Sequence, residues 1–298
     1  MAQLENRAGR RLVAGVPLFW LTLFFMIPFL IVLKISFSEV RLAMPPYAPL
    51  FQWVHGLPTP KLHWANYGFL FTDPLYVSAY LYSIKVALVS TICCLLIGYP
   101  MAYAIAHATP TWRNVLLMMV ILPFWTSFLL RVYAWIGLLK NNGVINNVLM
   151  YLGVIHEPIQ MLQSDFAVYI GIVYSYLPFM ILPLYSNLEK HDNTLLEAAA
   201  DLGANPVTAF LRITLPQSMP GIVAGSLLVF IPAVGEYIVP SLLGRTDQLM
   251  IGRVLSDEFF ENRDWPVASA VAILILLLLA IPIMYFQHFQ RRELEAQK

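Results

Sequence analysis

Glu236 is the residue whose setting says most about chemistry. It stands in Ala233-Val-Gly235-Glu236-Tyr237-Ile238-Val-Pro240, within an apolar run from Gly221 to about Leu243. A charged side chain near the centre of a bilayer costs roughly 2.5–3.5 kcal/mol on insertion scales, so an ionisable group in such a run is a candidate functional site. A carboxylate that faces a water-filled cavity avoids much of that cost and attracts a cation. Tyr237, with Trp135 and Tyr133 from an earlier apolar run, offers ring faces to an ammonium group, worth roughly 0.5–2 kcal/mol each. Plainer readings stand beside this one. Glu236 pairs with Arg131 or Lys85 or reaches the interface, and Tyr133 and Trp135 form an interfacial aromatic belt.

Little else in the chain suggests a reaction. The six histidines, at 55, 63, 107, 156, 191 and 288, never fall at metal-ligand spacing, so no metal site is expected. Cys93 and Cys94 are adjacent within an apolar run and read as small core- or lipid-facing residues rather than a disulfide framework. There is no Gly-x-x-x-x-Gly-Lys-Ser/Thr, so ATP is not bound here through a P-loop. Paired acids or a nucleophile–base set within the apolar runs, which a membrane enzyme needs, are not visible.

Composition says what must position Glu236. Of 298 residues, 59% are hydrophobic and 12% are charged, which no ordinary soluble domain matches. A net charge of +1 argues against nucleic acid as a partner. Runs of about 20 apolar residues mean membrane helices. Six are predicted, at about 12–33, 84–106, 114–135, 167–185, 221–243 and 266–286. The first reads as a retained helix, with Pro17 and Pro28 as bends, because it is longer than a signal peptide's apolar region and lacks a small-residue cleavage site. Residues 34–83, rich in proline and aromatic residues, are expected to be an ordered loop, as are Asn141-Asn142-Gly143 and Asn146-Asn147. Gly221 and Gly225 give the fifth run a small-xxx-small face on which another helix can approach closely. Lys and Arg totals do not separate the two sides. The close flanks Arg10, Arg11, Arg291 and Arg292 place both termini in the cytoplasm.

Between the fourth and fifth runs lies a polar island, Glu197 to Pro216. Thr194 is expected to cap a first short helix, with Glu197 completing a capping box and Asp192 or Asn193 as competitors. Gly203 suits the left-handed residue that ends it. Asn205 then caps a second helix with Pro206 at its first position, and Pro216 is expected to end that helix. With six spans and cytoplasmic termini, this elbow is cytoplasmic.

The set Glu197-Ala198-Ala199, Gly203 and Ile213-Thr-Leu215-Pro216 resembles the signature loop of the permeases of ABC importers, the binding-protein-dependent (MetI-like) family. The segment Asn66 to Tyr76 is similar to the lead-in to that family's shared domain. Pro123 to Asn147 and Phe230 to Gly244 resemble the putrescine/spermidine branch, and the putrescine importers within it most closely. The resemblance covers essentially the whole chain. It implies an all-α polytopic membrane protein of six transmembrane helices with a cytoplasmic coupling elbow. Residues 1–83 would hold a cytoplasmic tail, the first helix and a periplasmic loop. Residues 84–286 would be the core permease domain with the coupling loop at 192–219, and 287–298 a cytoplasmic tail. Glu197, Ala198, Ala199, Asp201, Gly203, Asn205, Pro206, Ile213, Leu215 and Pro216 would couple to an ATPase. Glu236, Tyr237, Trp135 and Tyr133 would line the substrate pathway.

The implied assembly sits in the bacterial inner membrane among its lipids. It comprises this non-catalytic chain, a second and different permease, two copies of an ATPase and a periplasmic polyamine-binding protein. No cofactor is expected on this chain, with ATP and Mg on the partner ATPase. Importers of ferric ion, phosphonate, sulfate or opines are the alternatives within the family. A secondary transporter, which would leave the elbow without a purpose, is the alternative outside it.

Overall fold

The structure, a computed structural model, describes residues 6–54, 57–192 and 194–296; His55 and Asn193 lie outside the described residues. Proline and glycine decide where its helices break. The first apolar run forms α1 (Asn6–Leu21), a π turn (Thr22–Met26) and α2 (Ile27–Ser36). Pro17 is absorbed within α1, and the register changes only before Pro28. A proline supplies no N–H and crowds the carbonyl one turn back. The wider π turn, in which the Ile27 N–H reaches the Thr22 carbonyl, accommodates both. Two short antiparallel strands follow, β1 (Phe51–Val54) and β2 (Leu57–Pro60), paired from Phe51↔Pro60 to Val54↔Leu57.

After α3 (Ala65–Thr72), helix α4 (Pro74–His107) starts ten residues before the predicted second span and runs through position 83, so the expected loop ends at Asp73. The signal was Asp73-Pro74: Asp73 Oδ1 accepts the Leu75 N–H at 2.8 Å and Pro74 fills the first turn. The third run is not a straight span. It divides into α5 (Pro110–Ile121), a 3₁₀ turn (Leu122–Trp125) and α6 (Phe128–Leu139). The chain bends by 91° at the break that follows Pro123. Asn146 and Asn147, expected in a loop, belong to α7 (Val144–Tyr151), where Asn146 exchanges hydrogen bonds with the Ile159 N–H (3.0 Å) and carbonyl (2.9 Å).

Helix α8 (Asp165–Leu188) leads to the elbow helices α9 (Thr194–Asp201), α10 (Pro206–Ala209) and α11 (Leu215–Gln217), the last two joined by a π turn (Phe210–Thr214). The fifth run then forms α12 (Met219–Val234) and α13 (Ile238–Leu243), with a break at Gly235 to Tyr237 where one continuous span was expected. Helices α14 (Ile251–Phe260) and α15 (Trp265–Ala296) complete the chain, and α15 continues past position 286. Among the described residues four helices are long and apolar enough to cross a membrane, and the number is six where each of two bent pairs counts as one span. The chain is therefore an all-α polytopic protein, with one short antiparallel strand pair among the described residues.

The chain divides into two compact units. In the first, residues 1–77 with 255–277, Asn66 donates to the Ser36 (2.9 Å) and Ser38 (2.8 Å) carbonyls, and Tyr76 donates to Glu258 at 2.8 Å. In the second, residues 78–254 with 278–298, a core of Cys94, Ala102, Ile105, Val120, Met180, Ile181, Leu184 and Val229 joins α4, α5, α8 and α12.

Candidate functional site

The elbow is built by local rules. Gly203 has φ +79°, the left-handed geometry that glycine adopts without penalty. Its N–H reaches the Ala200 carbonyl at 2.9 Å, and the Ala204 N–H reaches the Ala199 carbonyl at 2.9 Å. Those two bonds make a Schellman cap. Asn205 Oδ1 accepts the Thr208 N–H at 2.8 Å, with Pro206 at the first helical position, as expected. The start of α9 differs from expectation. Thr194 lies inside the helix, and the acceptor is Asp192, whose Oδ1 takes the Thr194 N–H at 3.0 Å. That bond, then the one from the Thr194 hydroxyl, holds the Asp192 carboxyl below its ordinary range. Pro216 does not end the second helix either. The π turn lets the Leu215 N–H bond back to Phe210, so the chain carries Pro216 through to Ser218 and bends by 62° there into α12.

One side of the elbow is open. Glu197, Ala198, Asp201 and Pro216 are exposed, and so are the apolar side chains of Leu202 (89% exposed), Val207 and Leu211. Ala199 is buried, while Ile213 and Leu215 are half-buried. Phe210 anchors the other side, its ring edge-on to Tyr99 (5.7 Å) and Tyr103 (6.3 Å) of α4. Ser218 adds a 3.0 Å hydrogen bond to the Tyr99 hydroxyl. Arg113 binds Glu189 at 2.7 Å and donates to the Ala106 carbonyl at 3.0 Å, joining the ends of α4 and α8 to the start of α5. Sequence reasoning missed Phe210 and Arg113. An aromatic residue inside a polar island was the available sign of the first.

Gly221 and Gly225 find their partner in α8. A Cβ on Gly221 would lie 2.8 Å from Asn187 Cβ, and one on Gly225 2.8 Å from Met180 Sδ. The small face therefore brings α12 against the α8 backbone, where Met180 contributes its own carbonyl 3.1 Å from the Gly225 position.

That packing carries the break in the fifth run to the middle of α8. Glu236 is 7% exposed. Its Oε1 accepts the N–H groups of Tyr237 (3.1 Å), Ile238 (2.9 Å) and Val239 (3.4 Å), so the carboxylate caps α13. Its Oε2 accepts a hydrogen bond from the Tyr176 hydroxyl of α8. Among the described residues no ion pair joins Glu236 to Arg131 or Lys85, and its side chain is buried within the protein. Arg131 instead lies over the rings of Phe124 (5.3 Å) and Phe128 (5.6 Å). Rings bridge the gap between the two charges. Tyr176 neighbours Phe179 (6.1 Å), and Phe179 is edge-on to Phe124 (5.2 Å).

Helix α6, which carries Tyr133 and Trp135, packs against α13, just after Tyr237. Tyr237 is adjacent to Glu236 and 43% exposed. Trp135 is edge-on to Tyr174 of α8 at 5.5 Å, and Tyr133 is exposed on α6. No ring contact among the described residues joins Tyr133 or Trp135 to Tyr237. Tyr176, the partner that matters most to Glu236, lies 60 residues away, and no local pattern marks it. Among the described residues no group of His, Cys, Asp or Glu is arranged to hold a metal.

Comparison with known proteins places this geometry. Residues 94–294 match the family described as binding-protein-dependent transport system inner membrane component. The spermidine/putrescine transport system permease protein PotB of Haemophilus influenzae is 42% identical over 284 residues, covering 95% of each chain. Its namesake in Escherichia coli is 43% identical over 219 residues, 74% of this chain and 80% of its own. A chain from the crystal structure of a bacterial ABC transporter involved in the import of the acidic polysaccharide alginate superposes with a TM-score of 0.67 at 18% identity, over 97% of both chains, and so shares the fold.

Proposed function

This chain belongs to the family of binding-protein-dependent transport system inner membrane components, and from that premise we propose that it carries polyamines, putrescine and spermidine, into the cytoplasm. It is a non-catalytic, multi-pass inner-membrane permease subunit of an ABC importer. The observation that carries the polyamine reading is the 42% identity, over 95% of both chains, to a permease named for spermidine and putrescine. The buried carboxylate at the break of the fifth run supports it, because a polyamine is a cation and a sulfate or phosphonate would be repelled there.

The mechanism proposed is alternating access. A polyamine-binding protein docks on the outer loops. A second, different permease and two ATPase copies, which hold ATP and Mg, complete the assembly; this chain binds no cofactor. The elbow is the coupling element, presenting Glu197, Ala198, Asp201 and the exposed Leu202 and Val207 to the ATPase. Ala199, Gly203, Asn205, Pro206, Ile213, Leu215 and Pro216 give it its shape. Both termini and the elbow face the cytoplasm. The path passes Glu236 and Tyr237, with Tyr133 and Trp135 on its approach. An inside-negative potential favours each inward charge by about 2.3 kcal/mol per 100 mV, so a dication gains twice that. ATP then serves mainly to open, close and reset the path.

The test is to purify the tagged chain at natural expression level, identify its companions and reconstitute the assembly in proteoliposomes. An ATPase and a second permease in the preparation, with ATP-dependent putrescine uptake, are the expected result. A chain that purifies alone and takes up putrescine without ATP would overturn the reading.

A further inference from the structure

Glu236 uses its two oxygens differently, and the difference suggests how a substrate is sensed. Oε1 is committed to its own chain through the N–H groups of Tyr237, Ile238 and Val239, and giving them up would leave the first turn of α13 without its cap. Oε2 is held by a neutral donor on another helix, the Tyr176 hydroxyl. On the reading that Glu236 meets a cationic amine, we propose that Tyr176 is the latch of the pathway: its hydroxyl holds Glu236 in the empty transporter, and the substrate's ammonium group takes its place on Oε2.

The chemistry favours the exchange. The hydroxyl's bond to the carboxylate has one charged partner, whereas an ammonium makes a pair in which both partners are charged and so adds a full Coulomb attraction. An ammonium group has three donors and no acceptor. Inserted between the two groups, it donates to Oε2 and to the phenol oxygen at once, so both oxygens keep a hydrogen-bond donor. Phe179, beside Tyr176 at 6.1 Å, offers a ring edge or face at the same place. The exchange also has a mechanical result. Tyr176 belongs to α8 and Glu236 stands just before α13, so inserting the ammonium replaces a direct polar tie between the two with a longer, amine-bridged one while the Gly171 contact with Val239 and Leu243 keeps them packed. Arrival of the amine thereby loosens the broken segment without separating the helices.

The experiment uses the complete importer in proteoliposomes with putrescine as the probe. Tyr176→Phe is expected to raise ATP hydrolysis in the absence of putrescine by about three- to tenfold, the effect of one lost hydrogen bond on a closed–open equilibrium. Putrescine moved per ATP should fall with it. Glu236→Gln tests the underlying reading separately, and should cut putrescine uptake at least about tenfold by removing the charge. If Glu236→Gln is impaired and Tyr176→Phe matches wild type in both hydrolysis and coupling, the latch is wrong and the carboxylate site stands. If Glu236→Gln transports putrescine normally, both fall. Should Tyr176→Phe fail to assemble, 3-fluorotyrosine at position 176 keeps the hydroxyl. Its fluorine resonance should shift when putrescine and binding protein are added, and an unmoved resonance overturns the latch.

Discussion

The elbow at 194–217 and the break at 235–237 both interrupt helix, and they do so by opposite means. At the elbow every cap comes from within a few residues: Asp192 for Thr194, the Ala199 and Ala200 carbonyls for Ala204 and Gly203, Asn205 for Thr208. Its surroundings are open, and a Cβ on Gly203 would meet nothing within 4 Å. At the break the backbone is enclosed. Glu236 caps α13 but is itself held by Tyr176, and a Cβ on Gly252 would lie 2.4 Å from the Gly235 carbonyl oxygen and 2.8 Å from that of Glu236. An irregular backbone at membrane depth persists only where protein or a water-filled cavity satisfies it. The caps of the first region thus come from its own residues, Phe210 fixes one side to α4, and the other side is exposed. The second is shaped by its neighbours.

Two glycine substitutions sharpen that contrast. Gly252→Ala has the largest expected effect, because the obstacle is main chain that cannot rotate away. Overpacking of this kind typically costs about 1–3 kcal/mol, and a shifted Glu236 should also abolish uptake. Thermal stability and putrescine uptake of the reconstituted importer check both; a stable, fully active variant would mean that the break tolerates displacement. Gly203→Glu comes next. It meets no clash but forces a left-handed backbone, at roughly 1–2 kcal/mol, and adds a carboxylate to the open face. The chain should still assemble and the binding protein should behave normally, while uptake disappears. Gly203→Asn, which tolerates the conformation, should retain most of it. Equal loss in both variants would contradict the open-face account.

The smallest effects lie in the elbow's polar caps. Asn205→Ala should destabilise the assembly by about 1 kcal/mol, read as a lowered Tm, with a modest fall in uptake. Asp192 adds a pH dependence. Its folded-state value is lowered by Thr194, so its contribution is present above the ordinary aspartate value of about 4 and is lost as pH falls through the lowered one. Asp192→Asn should flatten that acid limb; an unchanged limb would remove Asp192 from the cap.

What the sequence disclosed follows the same division. The turn at Gly203 and the cap at Asn205 were legible because their partners lie one turn away, and the membrane spans because apolar length decides them. The π turns were not, since Pro28 and Pro216 read as bends or stops when a one-residue change of register suffices to carry them. Nor was the break at Glu236. Its run of apolar residues looks continuous, and the groups that enclose it, Tyr176 and Gly252, come from other helices. The glycine face of α12 lay between these cases: its spacing was visible, but Met180 and Asn187 as its counterparts were not.

Arg113 gives the elbow something to push against. One guanidinium spans the Ala106 carbonyl at the end of α4 and the Glu189 carboxylate after α8, and it stands at the first turn of α5. Its planar fork allows several directed bonds at once, which a lysine ammonium on a flexible stem does not reproduce. Three helix ends are riveted together there, close to where Phe210 wedges the elbow against α4. On the proposed coupling role, a stroke delivered through Phe210 would meet these tied helix ends and would turn the helices as one lever instead of dissipating in the fraying of separate ends.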